Sequence, residues 1–190
     1  MAAGLSGLFA LSCQDAGEVA PSGGRLSSDA ELVALFLSGE QYKAYRLFPD
    51  ADSVTAGTLN GSNAHQPMVR VSMNDVAFGA LGSGRLPQGS TFPDGSLIVK
   101  EIRQAGVTSL FAVMYRDRQN PVSGQGWLWA EYAPDGSVVA SIQGRGSGCV
   151  GCHAREQGAR NDLVRTFERQ RPGSVTFLRP LGRATRAPKE

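Results

Sequence analysis

The sequence lacks several features that would assign it at once to a large class of proteins. No internal stretch is apolar enough for a transmembrane helix. The net charge is only +2 and no block of like charges runs through the body of the chain, so nothing indicates nucleic-acid binding. Histidine and cysteine are scarce, with two and three residues among 190. The remaining composition, 41% hydrophobic and 19% charged, is that of an ordinary globular protein of one domain.

Most of these scarce residues lie together in Cys149-Val150-Gly151-Cys152-His153. This run is the C-x-x-C-H signature of a c-type haem. Two thiols at this spacing can each add to one vinyl group of the haem, and the histidine that follows can bind the iron. The motif therefore predicts a covalently attached haem c, held by Cys149 and Cys152, with His153 as the proximal ligand of the iron.

Other uses of the motif remain open. Thiolates and imidazole also bind zinc, but a closed zinc site needs four ligands, and the rest of the chain offers only Cys13 and His65. A redox dithiol of the thioredoxin type opens a helix after a parallel strand, whereas a glycine-rich loop at 144–148 comes first here. Haem is therefore favoured over zinc, over a dithiol or disulfide, and over a structural module without haem.

The two ends of the chain are predicted to lie outside the folded domain. A short apolar run ends Ala-Leu-Ser before Cys13, which resembles the lipobox of a bacterial lipoprotein signal, although no Lys or Arg precedes it. We therefore expect a signal-like segment and tether at 1–26, with lipid on Cys13, the alternative being a frayed terminus with an incidental thiol. Residues 27–175 would form the haem domain, and 176–190 a flexible basic tail.

The compartment follows from the haem chemistry. Bacteria form the thioether bonds of haem c after export, on the outer side of the inner membrane. The expected location is therefore the periplasm, or an extracytoplasmic membrane surface reached through a lipid anchor.

The apolar pattern predicts an α+β protein that is mainly β. A helix capped near Ser28 would end near Gly39 and could continue as a helical turn over 42–47, and residues 50–66 are predicted to form a loop. Short connections favour an antiparallel sheet flanked by N- and C-terminal helices. The strands are predicted at 69–73, 97–104, 109–115, 125–132 and 138–142, and further helices at 74–81 and 161–170.

A second motif makes the sequence similar to a known family. The run F-P-D-G-S-L-I-V-K-E at 92–101 precedes a Gly-Trp strand, the turn Pro134-Asp135-Gly136 and the C-x-x-C-H motif. Over roughly 42–169 this order resembles the cytochrome P-460 family, which includes the β-sheet cytochromes c-prime. The resemblance implies redox chemistry on hydroxylamine or NO, or binding of NO and CO, in a homodimer with a soluble redox partner.

The resemblance also assigns roles to Lys100 and Arg70. In the name-giving members, the lysine of this run is joined to a meso carbon of the haem, and Lys100 occupies the matching position. The residues alone also direct Lys100 towards a buried surface, because it shares a strand face with Ile98 and Ile102. A lysine snorkelling at a sheet edge is the alternative. Arg70 matches a family arginine expected near the distal pocket or a haem propionate, or else lies on the surface.

The distal side of the haem is less clearly specified. Met68, Met73 and Met114 are candidates for a sixth ligand, which would favour a six-coordinate electron carrier, although methionine more often fills a core. The resemblance implies an open iron instead. Hydroxylamine-oxidising members carry a distal carboxylate on the strand after the lysine, and the matching residue here is Ala112. The segment 110–114 contains no acid, which weakens the prediction of hydroxylamine oxidation.

These motifs make a prediction that mass spectrometry can check. Protein matured in a bacterial host that attaches haem should be coloured and heavier than its polypeptide by one haem. Digestion should release a haem peptide containing Cys149 and Cys152, with Lys100 on the same porphyrin if the cross-link forms. Colourless protein with the mass of the bare polypeptide would contradict haem attachment.

Overall fold

Seven strands form one antiparallel sheet in a computed structural model that describes residues 25–59, 64–155 and 157–170. The predictions for Cys13, for residues 1–24 of the segment and tether predicted at 1–26, and for the basic tail lie outside the described residues. Leu26, at the end of that predicted tether, is buried in the core cluster that contains Leu32 and Phe36. None of the helices in the described ranges is long and apolar enough to cross a membrane.

The sheet confirms the predicted fold class. Its order is β1-β3-β4-β5-β6-β7, with β2 also paired to β3, and neighbouring strands are antiparallel. The five predicted strands are present as β3 to β7, within two residues at each end. The strands are β1 (Arg46–Leu47), β2 (Thr55–Ala56), β3 (Met68–Met73), β4 (Leu97–Gln104), β5 (Val107–Arg116), β6 (Trp127–Tyr132) and β7 (Val138–Ala140). The two short strands β1 and β2 lie where a helical turn and a loop were predicted.

The helices are short and lie outside the sheet. In α1 the Ser28 hydroxyl accepts a hydrogen bond from the Glu31 backbone N–H, and the Glu31 carboxylate accepts one from the Ser28 N–H, so the predicted cap forms. The α-helices are α1 (Asp29–Leu37), α2 (Asp75–Gly79) and α3 (Val150–His153), and the 3-10 helices are Ser38–Lys43, Ile142–Gly144, Gly158–Asn161 and Arg165–Arg169.

The prediction of a continuous helix at 161–170 is wrong. Asp162 and Leu163 have φ of 53° and 69°, in the left-handed region, and separate two short 3-10 helices. Tertiary contacts explain the difference, because the carbonyls of these two residues accept hydrogen bonds from Trp127 Nε1 and His153 Nδ1. A regular helix would bond its carbonyls internally instead.

Each face of the sheet is covered by a different part of the chain. Side chains alternate between the faces along each strand. One, the N-terminal face, packs against α1 through Leu32 and Phe36 and includes Leu97, Val99, Phe111, Val113 and Leu128. The other, the C-terminal face, packs against the C-terminal segment through Val164 and Phe167 and also against Phe48, Leu86 and Phe92. It includes Ile98, Ala112, Met114, Trp127 and Trp129.

The N-terminal helix also fixes the chain that leads to the C-x-x-C-H motif. The Asp29 carboxylate accepts hydrogen bonds from the Tyr132 hydroxyl at 2.9 Å, the Ser141 hydroxyl at 2.6 Å and the Ile142 backbone N–H at 3.0 Å. The start of α1, the end of β6 and the start of the segment after β7 are thereby joined. This junction sets where the glycine-rich loop begins.

Phe36→Ala tests the packing of the N-terminal face. The Phe36 ring is fully buried, and its centroid lies 5.3 Å from that of Phe111 and 6.0 Å from that of Tyr132. Loss of this ring should lower the free energy of unfolding by about 3–5 kcal/mol, measured by urea denaturation. Val76→Ala is the control, since Val76 is exposed, and should change stability by no more than about 0.5 kcal/mol. Equal effects would contradict this packing.

Candidate functional site

The C-x-x-C-H motif forms a single helical turn over the C-terminal face. Cys149 is the N-cap of α3, and its carbonyl accepts the His153 backbone N–H at 3.0 Å. Residues three apart on a helical turn lie on the same side, so the thiols of Cys149 and Cys152 are neighbours. The turn thus presents two thiols and one imidazole within a single short element.

A glycine-rich loop lets this turn approach the sheet closely. Gly146 has φ of 73°, and a Cβ there would lie 2.4 Å from the Trp129 ring. Gly124, on the next loop, would place a Cβ 2.1 Å from the carbonyl oxygen of Arg145. Trp129 completes this contact by donating its indole N–H to the Gly124 carbonyl at 2.8 Å. Side chains at either glycine would push the motif away from the sheet.

His153 is oriented by the loop that follows α3. Its Nδ1 lies 2.8 Å from the Leu163 carbonyl oxygen, which can only accept, so Nδ1 carries the proton and Nε2 keeps its lone pair. Trp129 contacts the imidazole edge to face, with centroids 4.8 Å apart. Burial, followed by repulsion from Lys100, lowers the pKa of His153 to about 3. A neutral, oriented imidazole of this kind is suited to binding a metal.

A buried ion pair anchors the loop that orients His153. The Asp162 carboxylate lies 3.3 Å from Arg116, with both side chains under a tenth exposed, and accepts the Phe92 backbone N–H at 2.9 Å. The Asp162 carbonyl accepts the Trp127 indole N–H at 3.0 Å. These contacts hold the carbonyl of the next residue, Leu163, at the imidazole.

Two adjoining cavities lie between the motif and the C-terminal face. Counted out to their openings, with open solvent included, the first spans about 450 Å³ and the second about 840 Å³. The first is mainly apolar and is lined by Ile98, Met114, Trp129 and Val164, among others. The two share His65, Lys100, Glu131, Cys149, His153 and Arg165.

Lys100 lies in the middle of this site, on the face predicted for it. It pairs with Ala112 on β5, and Ala112 pairs with Glu131 on β6, so the three residues form one row across the sheet. The small Ala112 side chain separates the two charged ones. Burial lowers the pKa of the Lys100 amine to about 8, and the positive charge of Arg169 contributes in the same direction.

Glu131, on β6, places a carboxylate beside Ala112, the β5 position at which an acid was looked for in the sequence. The His65 imidazole Nε2 lies 3.0 Å from a Glu131 carboxylate oxygen, and its Nδ1 lies 3.4 Å from the Lys100 amine. The hydrogen bond from His65 lowers the pKa of Glu131. Sequence reasoning missed both residues. Alternation along β6 after Trp127 and Trp129 could have placed Glu131, but no local signal places His65.

Arg70 is not brought to the site. It pairs with Glu101 across β3 and β4, on the N-terminal face, and its guanidinium lies 2.5 Å from the buried Glu101 carboxylate. Arg103 contacts the same carboxylate at 3.1 Å. Since β3 is antiparallel to β4, Arg70 shares the face of Glu101 and lies opposite Lys100. The structure therefore contradicts a distal or propionate role for Arg70.

Cations from the C-terminal segment lie beside the second cavity instead. Arg165 is ion-paired with Glu168 at 3.0 Å and lies 3.6 Å from the Cys152 sulfur. Arg169 donates to the Gly57 carbonyl at 2.9 Å, and both arginines line the second cavity. Guanidinium groups at a cavity edge are suited to carboxylates such as haem propionates.

The three methionines are separated by the fold. Met114 lines the first cavity. Met73 is fully buried in the core, and Met68 is 38% exposed on β3. Only Met114 among these candidates therefore borders the site.

The residues present fit a haem. The apolar first cavity, the bare Nε2 of His153, two adjacent thiols and a cationic edge match the chemistry of a porphyrin with iron, vinyl groups and propionates. Within the described ranges no group of three His, Cys, Asp or Glu side chains is arranged to hold a metal ion.

A sheet with a C-x-x-C-H turn on one face fits the class of β-sheet haem proteins, whose architecture differs from that of the helical cytochromes c. The Cytochrome P460 family model matches residues 42–166, about two thirds of the chain. The chain belongs to the Cytochrome P460 family, as its motifs predicted, and the family implies haem binding. None of the curated proteins compared with the chain matches it.

The ion pair behind His153 gives a stability prediction. Asp162→Ala would leave the Arg116 guanidinium buried without its carboxylate and should cost about 3 kcal/mol of unfolding free energy in urea. Asp94→Ala is the matched control, because Asp94 pairs with Arg118 at 3.2 Å on the surface and should cost about 1 kcal/mol or less. Similar losses in both variants would contradict an anchoring role for the buried pair.

Proposed function

We propose that the chain is a c-type cytochrome that oxidises small nitrogen compounds, hydroxylamine first among them. In this proposal Cys149 and Cys152 hold the haem covalently and His153 binds its iron through Nε2. The bound haem would supply an iron that accepts electrons from the substrate. The two cavities give the substrate access to the same side chains.

The observation that carries this proposal is the position of Glu131. Its carboxylate lies in the row of Lys100 and Ala112, within the cavity that His153 also lines. Oxidation of an N–H or O–H group releases protons, and a carboxylate within reach can accept them. The His65 hydrogen bond lowers the pKa of Glu131, so the carboxylate is ionised at neutral pH. An acid on β6 can thus serve where β5 carries only Ala112.

Lys100 supports the same chemistry from the opposite end of the row. Its amine is directed into the cavity and can donate hydrogen bonds to a nitrogen or oxygen atom of the substrate. The family resemblance also supports a covalent link from Lys100 to the haem. Either arrangement uses a lysine that the sheet holds beside His153.

A second candidate function is the binding of diatomic gases. The first cavity is lined largely by apolar side chains, including Ile98, Met114 and Val164. Such a lining favours uncharged NO or CO over water and anions. A third candidate, an electron carrier with a methionine ligand, is supported by Met114 alone, since it borders the same cavity.

The cellular setting is part of the proposal. The lipobox-like sequence before Cys13 and the chemistry of haem attachment support an extracytoplasmic location, with lipid as the membrane contact. The family resemblance supports a homodimer that passes electrons to a soluble partner.

Glu131→Gln tests the proposed reaction. Holoprotein with hydroxylamine and a dye acceptor should turn over faster than free haem, and the variant should lose about a hundredfold or more in rate, because glutamine cannot accept the proton. NO binding to the ferrous form should persist. Glu40→Gln, at an exposed surface pair, is the control and should keep the wild-type rate.

The same measurements separate the other candidates. Wild-type protein without turnover, whose ferrous spectrum changes with NO or CO, would favour gas binding. A six-coordinate low-spin spectrum with a methionine-to-iron charge-transfer band would favour electron transfer. An unchanged rate in Glu131→Gln would remove Glu131 from the mechanism.

A further inference from the structure

We propose that His65 is a positioning residue that holds the Glu131 carboxylate in place as the proton acceptor of the cavity. This inference rests on the function proposed above, in which the Glu131 carboxylate is the base. His65 belongs to neither sequence motif. It reaches the site from the loop between β2 and β3.

The contacts of the imidazole satisfy both of its nitrogens. With the proton on Nε2, His65 donates to Glu131 at 3.0 Å, and Nδ1 faces the Lys100 amine at 3.4 Å, where it can accept. Both the His65 and Glu131 side chains are about three quarters buried or more, with 19% and 25% exposed. One imidazole therefore links the only carboxylate among the described residues lining these cavities to the lysine of the same row.

Other charges surround the pair without replacing this contact. The further ionisable groups that line the two cavities are Lys100, Cys149, Cys152, His153, Arg165 and Arg169. Among the causes that lower the pKa of Glu131, the hydrogen bond from His65 is the largest, and the charge of Lys100 is a smaller one. Removal of His65 should therefore raise the pKa of Glu131 towards its ordinary value of 4.5.

The backbone around His65 is built to hold it there. His65 has φ of 64°, and its carbonyl packs directly on Gly57, where a Cβ would lie 1.8 Å from the oxygen. The Gly57 N–H donates to the Pro67 carbonyl at 2.8 Å, and the Gly57 carbonyl accepts from Arg169 at 2.9 Å. Gly57 thus joins the His65 loop to the C-terminal segment, and it has no room for a side chain.

The pH profile of kcat/KM for hydroxylamine tests this role in the holoprotein. A carboxylate that must be ionised gives activity that falls as the pH drops through its pKa. His65→Leu should move this acid limb to higher pH, because the Glu131 carboxylate loses its hydrogen bond. His65→Gln keeps an N–H donor and should restore most of the wild-type profile. An acid limb unmoved in His65→Leu would overturn the proposal.

A glycine pair provides a second test that leaves His65 itself unchanged. Gly57→Ala should displace the His65 backbone and move the acid limb in the same direction as His65→Leu. Gly79→Ala is the matched control, since no atom lies within 4 Å of a Cβ at Gly79. Haem content from the optical spectrum confirms that each variant is loaded. Equal profiles for the two glycine variants would overturn the role of Gly57 in placing His65.

A readout without turnover separates this inference from the proposed function. His65→Leu should lower the denaturation midpoint at pH 7 by less in the Glu131→Ala background than in the wild type, because alanine has already removed the shared contact. This difference between the two backgrounds should become smaller at acid pH, where Glu131 is protonated. Coupling with no turnover would support the His65 contact while the oxidase function fails. Purely additive midpoints would overturn the inference even in an active enzyme.

Discussion

The structure depends on a sheet whose two faces are both covered, each by different segments of the chain. The helix α1 packs on the N-terminal face through Leu32 and Phe36. The alternate side chains of β4, β5 and β6 point to the C-terminal face. Alternation then leaves no choice of direction: Lys100 and Glu131 point to the motif, and Arg70 points away from it. A slip of one residue in any central strand would exchange these sets and dismantle the site.

Polar and charged side chains are tolerated in the cavities because each one contacts a specific neighbour. Lys100, His65 and Glu131 form a connected set in which every side chain has a partner of suitable hydrogen-bonding character. His153 is held differently, through a neutral contact with the Leu163 carbonyl, and stays uncharged. The site thus combines an ionised carboxylate, Glu131, with a neutral imidazole, His153.

Much of this arrangement follows from local patterns. The strands β4 and β5 are long and β-branched, so their presence and their antiparallel pairing could be predicted, and the face of Lys100 followed from Ile98 and Ile102. The C-x-x-C-H motif predicted where a haem would attach, because its spacing is chemically specific. The prediction of a helix at 161–170 was wrong because apolar spacing cannot reveal two long-range hydrogen bonds. The carbonyls of Asp162 and Leu163 accept them from Trp127 and His153. The position predicted for Arg70 was wrong for a similar reason, since the face on which Arg70 lies depends on its pairing with Glu101.

The sequence by itself determined the fold class and the family, because these depend on short-range spacing and on the chemistry of neighbouring side chains. Only the tertiary structure decided which acid and which second histidine enter the cavity. Glu131 is 31 positions beyond Lys100, and His65 lies 66 positions before Glu131, yet strand register and a loop packed on Gly57 bring all three together. Contacts over such distances follow from the packing of the whole sheet, which no local pattern encodes.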